Sequence, residues 1–115
     1  MGYIMLVNIT AKELNELIAL NGVLLVDVRE SFEYVGGYIA NSINIPLSTL
    51  NGTALENEVN KKNIEEIVFI CKAGVRSVQA YYNIIEDNNR PDVVFKNLQG
   101  GIVDWISNKY EVVKE

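Results

Sequence analysis

The sequence predicts an α/β fold, a three-layer sandwich in which helices flank a mostly parallel central sheet. Three observations carry this. The runs Val23-Leu24-Leu25-Val26 and Ile67-Val68-Phe69-Ile70 are apolar without a break, as in strands buried on both faces. Stretches with helical spacing alternate with such runs, the order of βα units. Asp27-Val28-Arg29 and Cys71-Lys72-Ala73-Gly74 follow the two runs directly. Parallel strands bring both segments to one sheet edge, where α/β folds form their sites.

Taken in order, Tyr3 to Ile9 reads as a short edge strand. Thr10-Ala11-Lys12-Glu13 is a capping box opening a helix whose inward face is Ala11, Leu14, Leu17 and Ile18. Asn21-Gly22 ends it, and the first buried run follows. Ser31 is placed to cap a short helix ending at Gly36-Gly37. Ile43-Asn44-Ile45 is a brief strand stopped by Pro46. In residues 47–60, Leu55 and Val59 give a helical face that Gly52 and the surrounding asparagines weaken, so the segment reads as a helix or a loop.

After the second buried run, a helix is expected over Arg76–Asp87, with Val78, Tyr81, Tyr82 and Ile85 inward. Asn88-Asn89-Arg90-Pro91 reads as a turn and Val93-Val94-Phe95 as a strand. Gly100-Gly101 leads into a last helix around Trp105.

Composition bounds the function. The 115 residues are 49% apolar and 22% charged, one domain over 1–115 with enough chain for a core. The net charge of −5 is uneven, with two cations against seven acids in residues 1–60 and eight of each afterwards. An acidic chain without basic clusters is a poor partner for nucleic acid or an anionic membrane. One cysteine excludes an intramolecular disulfide, and the lack of histidine excludes imidazole chemistry. A zinc site would need carboxylates alone, so neither metal nor cofactor is expected. The apolar run Tyr3–Val7 is too short for a signal peptide or a membrane span, and the cytoplasm is expected, where a free thiol stays reduced.

Cys71 is the residue on which chemistry can turn. A lone cysteine ending a buried strand reads first as a small hydrophobe. The loop after it changes that reading. A thiolate is favoured by a helix N-terminus and by nearby cations, and here a helix begins at Arg76 with Lys72 and Arg76 flanking the loop. No acid lies between Glu66 and Glu86. The expectation is a small positive bowl beside a thiolate. Gly74 lets the backbone turn so that successive N–H groups converge. Arg76 at a helix start opposes the macrodipole, a local conflict of the sort functional sites tolerate.

Cys71-Lys72-Ala73-Gly74-Val75-Arg76-Ser77 resembles the active-site loop of the rhodanese-like sulfurtransferases, often Cys-Arg-x-Gly-x-Arg-Ser. Asp27-Val28-Arg29-Glu30 with Phe32, Glu33 and Tyr34 is similar to that family's first strand-end motif. Gly37-Tyr38-Ile39 and Ser42-Ile43-Asn44-Ile45-Pro46 resemble its Gly-His-Ile and Ala-x-Asn-Ile-Pro segments. Leu98-Gln99-Gly100-Gly101-Ile102-Val103-Asp104-Trp105 resembles its closing motif.

The resemblance implies sulfur transfer. A small anionic sulfur donor such as thiosulfate would sit against Lys72, Ala73, Gly74, Val75, Arg76 and Ser77. The Cys71 thiolate would take its outer sulfur as a persulfide and pass it to a thiol, cyanide or a protein acceptor. Asp27 and Arg29 would support the loop. Tyr38 stands where the family often has histidine. A phosphatase or arsenate reductase is the first alternative, but related folds use Cys-x5-Arg, and Cys-x4-Arg here makes a bowl too small for phosphate. A non-catalytic binding module is the second; such versions usually lose the cysteine that this chain keeps.

Overall fold

A computed structural model describes residues 6–60, 63–85 and 92–115. Five strands form one sheet: β1 (Leu6–Ile9), β2 (Val23–Asp27), β3 (Ile43–Asn44), β4 (Glu66–Ile70) and β5 (Val94–Leu98), in the order β1-β5-β4-β2-β3. Every pairing is parallel, so the expected mostly parallel sheet is parallel throughout. The register places Asp27 beside Ile70, and Val28 N–H continues the ladder to the Ile70 carbonyl at 2.8 Å. Asp27 and Cys71 therefore lie at the same sheet edge.

Alternate residues of the central strands point to opposite layers, as the pleat requires. Leu24, Val26, Ile67, Phe69 and Cys71 belong to one buried cluster with Leu55, Val59, Ala80, Tyr81 and Ile84, from helices α3 (Gly52–Val59) and α4 (Arg76–Ile85). Leu25, Val68 and Ile70 face the other cluster, with Leu14, Ile102 and Trp105 from α1 (Ala11–Leu17) and α5 (Gly101–Ser107). The short α2 (Ser31–Tyr34) sits at the functional edge.

One open reading is settled and several expectations change. The segment 47–60 does contain a helix. Asn51, which reads as a breaker, is its cap, its side chain accepting from Ala54 N–H at 2.8 Å. Glu30, not Ser31, precedes the first residue of α2, and its N–H donates to Glu33 Oε1 at 3.1 Å. The buried face of α4 is rotated from the one expected: Ser77, Ala80, Tyr81 and Ile84 are buried, whereas Tyr82 is exposed. The rotation turns Ser77 inward to the thiol. The fifth strand starts at Val94, not Val93, and runs to Leu98. In α1, Ala11 and Leu14 are buried, while Leu17 and Ile18 are only partly covered. The ends expected for the first strand and the fourth helix, and the turn at 88–91, lie outside the described residues. Among the described residues no helix is long and apolar enough to cross a membrane.

Candidate active site

Cys71 directly follows β4, and the loop 72–75 folds back over its sulfur before α4 begins. The turn requires a left-handed residue. Gly74 has φ +90°, and a Cβ there would stand 1.9 Å from the Gln99 carbonyl oxygen. The loop is pressed onto the β5–α5 connection in a second place. Gly101, at φ +64°, would bring a Cβ to 2.2 Å from the Lys72 carbonyl oxygen. The first N–H groups of α5 complete the seam, Ile102 donating to the Cys71 carbonyl at 2.9 Å and Val103 to that of Lys72 at 3.1 Å. The Leu98–Trp105 segment thus clamps the loop from behind, with Trp105 buried in the core cluster it shares with Leu14 and Ile70.

The thiol is almost enclosed, Cys71 being 1% exposed. Its Sγ accepts the Gly74 N–H at 3.0 Å and lies 3.4 Å from Ser77 Oγ. Burial is the strongest single influence on the thiol and pushes its pKa up. The Ser77 hydroxyl and the backbone N–H groups of Ser77, Ala73 and Gly74 together outweigh it, and the pKa falls below the ordinary thiol value. The thiolate is the favoured species relative to a free cysteine.

No sequence motif marks Asn97. It is buried on β5, where Oδ1 accepts the Ser77 hydroxyl while Nδ2 donates to Asn8 Oδ1 at 3.0 Å and toward the Gly74 carbonyl at 3.4 Å. Its amide thereby fixes the hydroxyl beside the sulfur and the peptide that caps it. The available signal was a polar residue inside an otherwise buried strand, which needs a partner.

The cations are arranged differently from the expected bowl. Arg76 is not open to the loop. Its two terminal nitrogens donate to Glu33 Oε1 and Oε2 at 2.6 and 2.9 Å, a bidentate pair between the start of α4 and α2. The Arg76 side chain holds the Glu33 carboxyl down to a pKa of about 2, and Glu33 raises that of Arg76. This pairing also relieves the conflict between Arg76 and the helix dipole. Lys72 and Ala73 are exposed and Val75 is 76% exposed on the rim. What surrounds the sulfur is a ring of peptide N–H groups, with the guanidinium further out and already paired.

Asp27 and Arg29 sit behind this pair. Asp27 is fully buried and bound by Arg29 through Nε at 3.0 Å and a terminal nitrogen at 2.8 Å. Arg29 also donates to the carbonyls of Gly37 at 2.7 Å and Glu33 at 3.4 Å, so it ties α2 to the sheet edge. Asn44 Nδ2 completes the corner, donating to the Asp27 and Arg29 carbonyls at 3.0 and 2.9 Å. Tyr38 is engaged elsewhere, stacked on Tyr34 at 4.3 Å with its hydroxyl donating to Glu115 Oε1 at 3.0 Å.

The family model for the rhodanese-like domain matches residues 10–108. A thiosulfate sulfurtransferase/rhodanese-like domain-containing protein 3 from Mus musculus is 32% identical over 93% of this chain and 71% of its own length. An uncharacterized protein from Synechocystis is 32% identical over 86% of this chain, which spans only 51% of that relative. The solved structure of a rhodanese-related protein from Thermoplasma volcanium superposes with a TM-score of 0.69 at 34% identity, covering 95% of this chain and 99% of that one. With the matched region running from the cap of α1 past the end of α5, the chain belongs to the rhodanese-like domain family.

Proposed function

We propose that the protein is a sulfurtransferase that carries a sulfane sulfur on Cys71. The observation that supports this best is the convergence of the Ala73, Gly74 and Ser77 N–H groups on Sγ. The same dipoles that favour a thiolate favour a persulfide anion in its place, without a proton or a metal to hold it.

With thiosulfate as donor, the Cys71 thiolate attacks the outer sulfur. A Cys71–sulfur bond forms and the sulfur–sulfur bond of the donor breaks. Its electron pair leaves on sulfite, and the Cys71 persulfide anion remains. Transfer is thus split into two easier steps. In the second, a thiol, cyanide or a protein acceptor attacks the outer sulfur of the persulfide and restores the thiolate. Lys72, Ala73, Gly74, Val75, Arg76 and Ser77 form the donor-binding loop, and Asp27 and Arg29 position it through α2. The reaction belongs to a reducing compartment, the cytoplasm, where Cys71 stays a free thiol.

Thiosulfate:cyanide sulfurtransfer by the purified protein, beside Cys71→Ser, tests the proposal. Thiocyanate formed by the parent and not by the variant supports it. Equal rates in both refute it.

A further inference from the structure

The Glu33–Arg76 pair bears on which donors the site accepts, and this inference rests on the sulfurtransfer reading above. Arg76 starts α4 directly after the loop, one residue from Ser77, whose hydroxyl lies 3.4 Å from the sulfur. It is the charged group an anionic donor would use. Both terminal nitrogens are nevertheless engaged by Glu33. Glu33 is itself held in place, since Arg29 donates to its carbonyl and its Oε1 accepts the Glu30 N–H. A doubly charged donor must displace this carboxylate or bind beside it, and either is unfavourable to a second anion. On both sides of the pair the neighbouring residues in sequence are apolar and open, with Phe32 77% and Val75 76% exposed.

We propose that Glu33 is the donor-specificity residue of this site. By occupying Arg76 it sets the loop against small dianions such as thiosulfate and in favour of donors of lower charge with an organic body, the organic persulfides. With such a donor, R–S–SH, the Cys71 thiolate attacks the outer sulfur and the bond between the donor sulfurs breaks. The electron pair leaves on R–S⁻, and the proton stays on the outer sulfur of the new Cys71 persulfide. No oxidant is required.

The test is the second-order rate constant for Cys71 persulfide formation, followed by quenched mass spectrometry with thiosulfate and with cysteine persulfide. Glu33→Gln removes the charge and keeps an oxygen for the Glu30 N–H. It should raise the ratio of the thiosulfate to the cysteine persulfide constant about two- to fivefold, the size of one partly exposed charge interaction. An unchanged or lowered ratio overturns the proposal, because Glu33 would then merely orient Arg76 for anions. The unmodified protein supplies a second measurement. With Arg76 paired, its thiosulfate constant should fall less as sodium chloride is raised than that of Glu33→Gln, in which Arg76 is released while the exposed Lys72 is common to both. An equal or steeper fall in the unmodified protein overturns the proposal. If neither donor adds sulfur to either protein, the sulfurtransfer reading itself fails, an outcome distinct from an unchanged ratio.

Discussion

The backbone N–H of Gly74 donates a 3.0 Å hydrogen bond to Sγ of Cys71, three residues earlier in the chain. That bond closes the loop into a ring around the thiol and exists only because Gly74 lies at φ +90°. Much of the site's chemistry depends on this backbone turn. Side-chain charge plays the smaller part close to the sulfur, since Arg76 is given over to Glu33.

The glycine is accordingly a sensitive position. Gly74→Ala places a Cβ 1.9 Å from the Gln99 carbonyl oxygen in a conformation that L residues avoid. It should cost about 3 kcal/mol or more, because backbone meets backbone and neither can swing away. Gly36→Ala is the control, its added carbon 3.4 Å from the Glu33 carbonyl oxygen and its φ unexceptional; it should change stability by less than about 1 kcal/mol. Urea unfolding of the two variants separates them. Equal losses would remove the steric argument.

The thiol should ionise more readily than a free cysteine. Rates of iodoacetamide alkylation against pH should give a midpoint below the ordinary thiol value, in the direction set by the Ser77 hydroxyl and the loop N–H groups. The Ser77 hydroxyl has a single proton, which it gives to Asn97 Oδ1 and which turns to Sγ once the sulfur is ionised. Ser77→Ala removes that donor, so its midpoint should lie above that of the parent. A Ser77→Ala midpoint at or below the parent value would show that the hydroxyl does not serve the sulfur.

The ion pair leaves a signature in acid. The folded pKa of Glu33 is about 2 against an ordinary value of 4.5. Its contribution to stability is therefore fully present above about pH 4.5 and is lost as pH falls toward 2. Both partners are partly exposed, so solvent screening reduces it to on the order of 1 kcal/mol. Denaturant midpoints measured down through this range should fall less steeply for Glu33→Gln than for the parent. Parallel curves would mean that the pair contributes nothing.

Much of this architecture was legible in the residues. The unbroken runs at 23–26 and 67–70 could only be strands covered on both faces, and the polar residues directly after them fixed the edge where the site lies. The capping box at Thr10 forms as its spacing implies, with Glu13 N–H donating to Thr10 Oγ1 at 3.1 Å. The orientation of α4 was not legible. Tyr82 and Val78 look more apolar than Ser77, and only the tertiary partners Asn97 and Cys71 explain why a serine turns inward. The pairing of Arg76 with Glu33 was equally hidden, because 43 residues separate them and local spacing says nothing about contacts between helices at one sheet edge. Asn51 illustrates a third reason: the same side chain that breaks a helix from within begins one from its cap.

The central claim is that Cys71 accepts and holds one sulfur atom. Intact-mass spectrometry after incubation with thiosulfate or cysteine persulfide tests it most directly. The parent should gain the mass of one sulfur atom, mapped to Cys71, and lose it when an external thiol is added, since the chain has no second cysteine to resolve it. An unchanged mass with both donors, or the same gain in Cys71→Ser, would contradict the account.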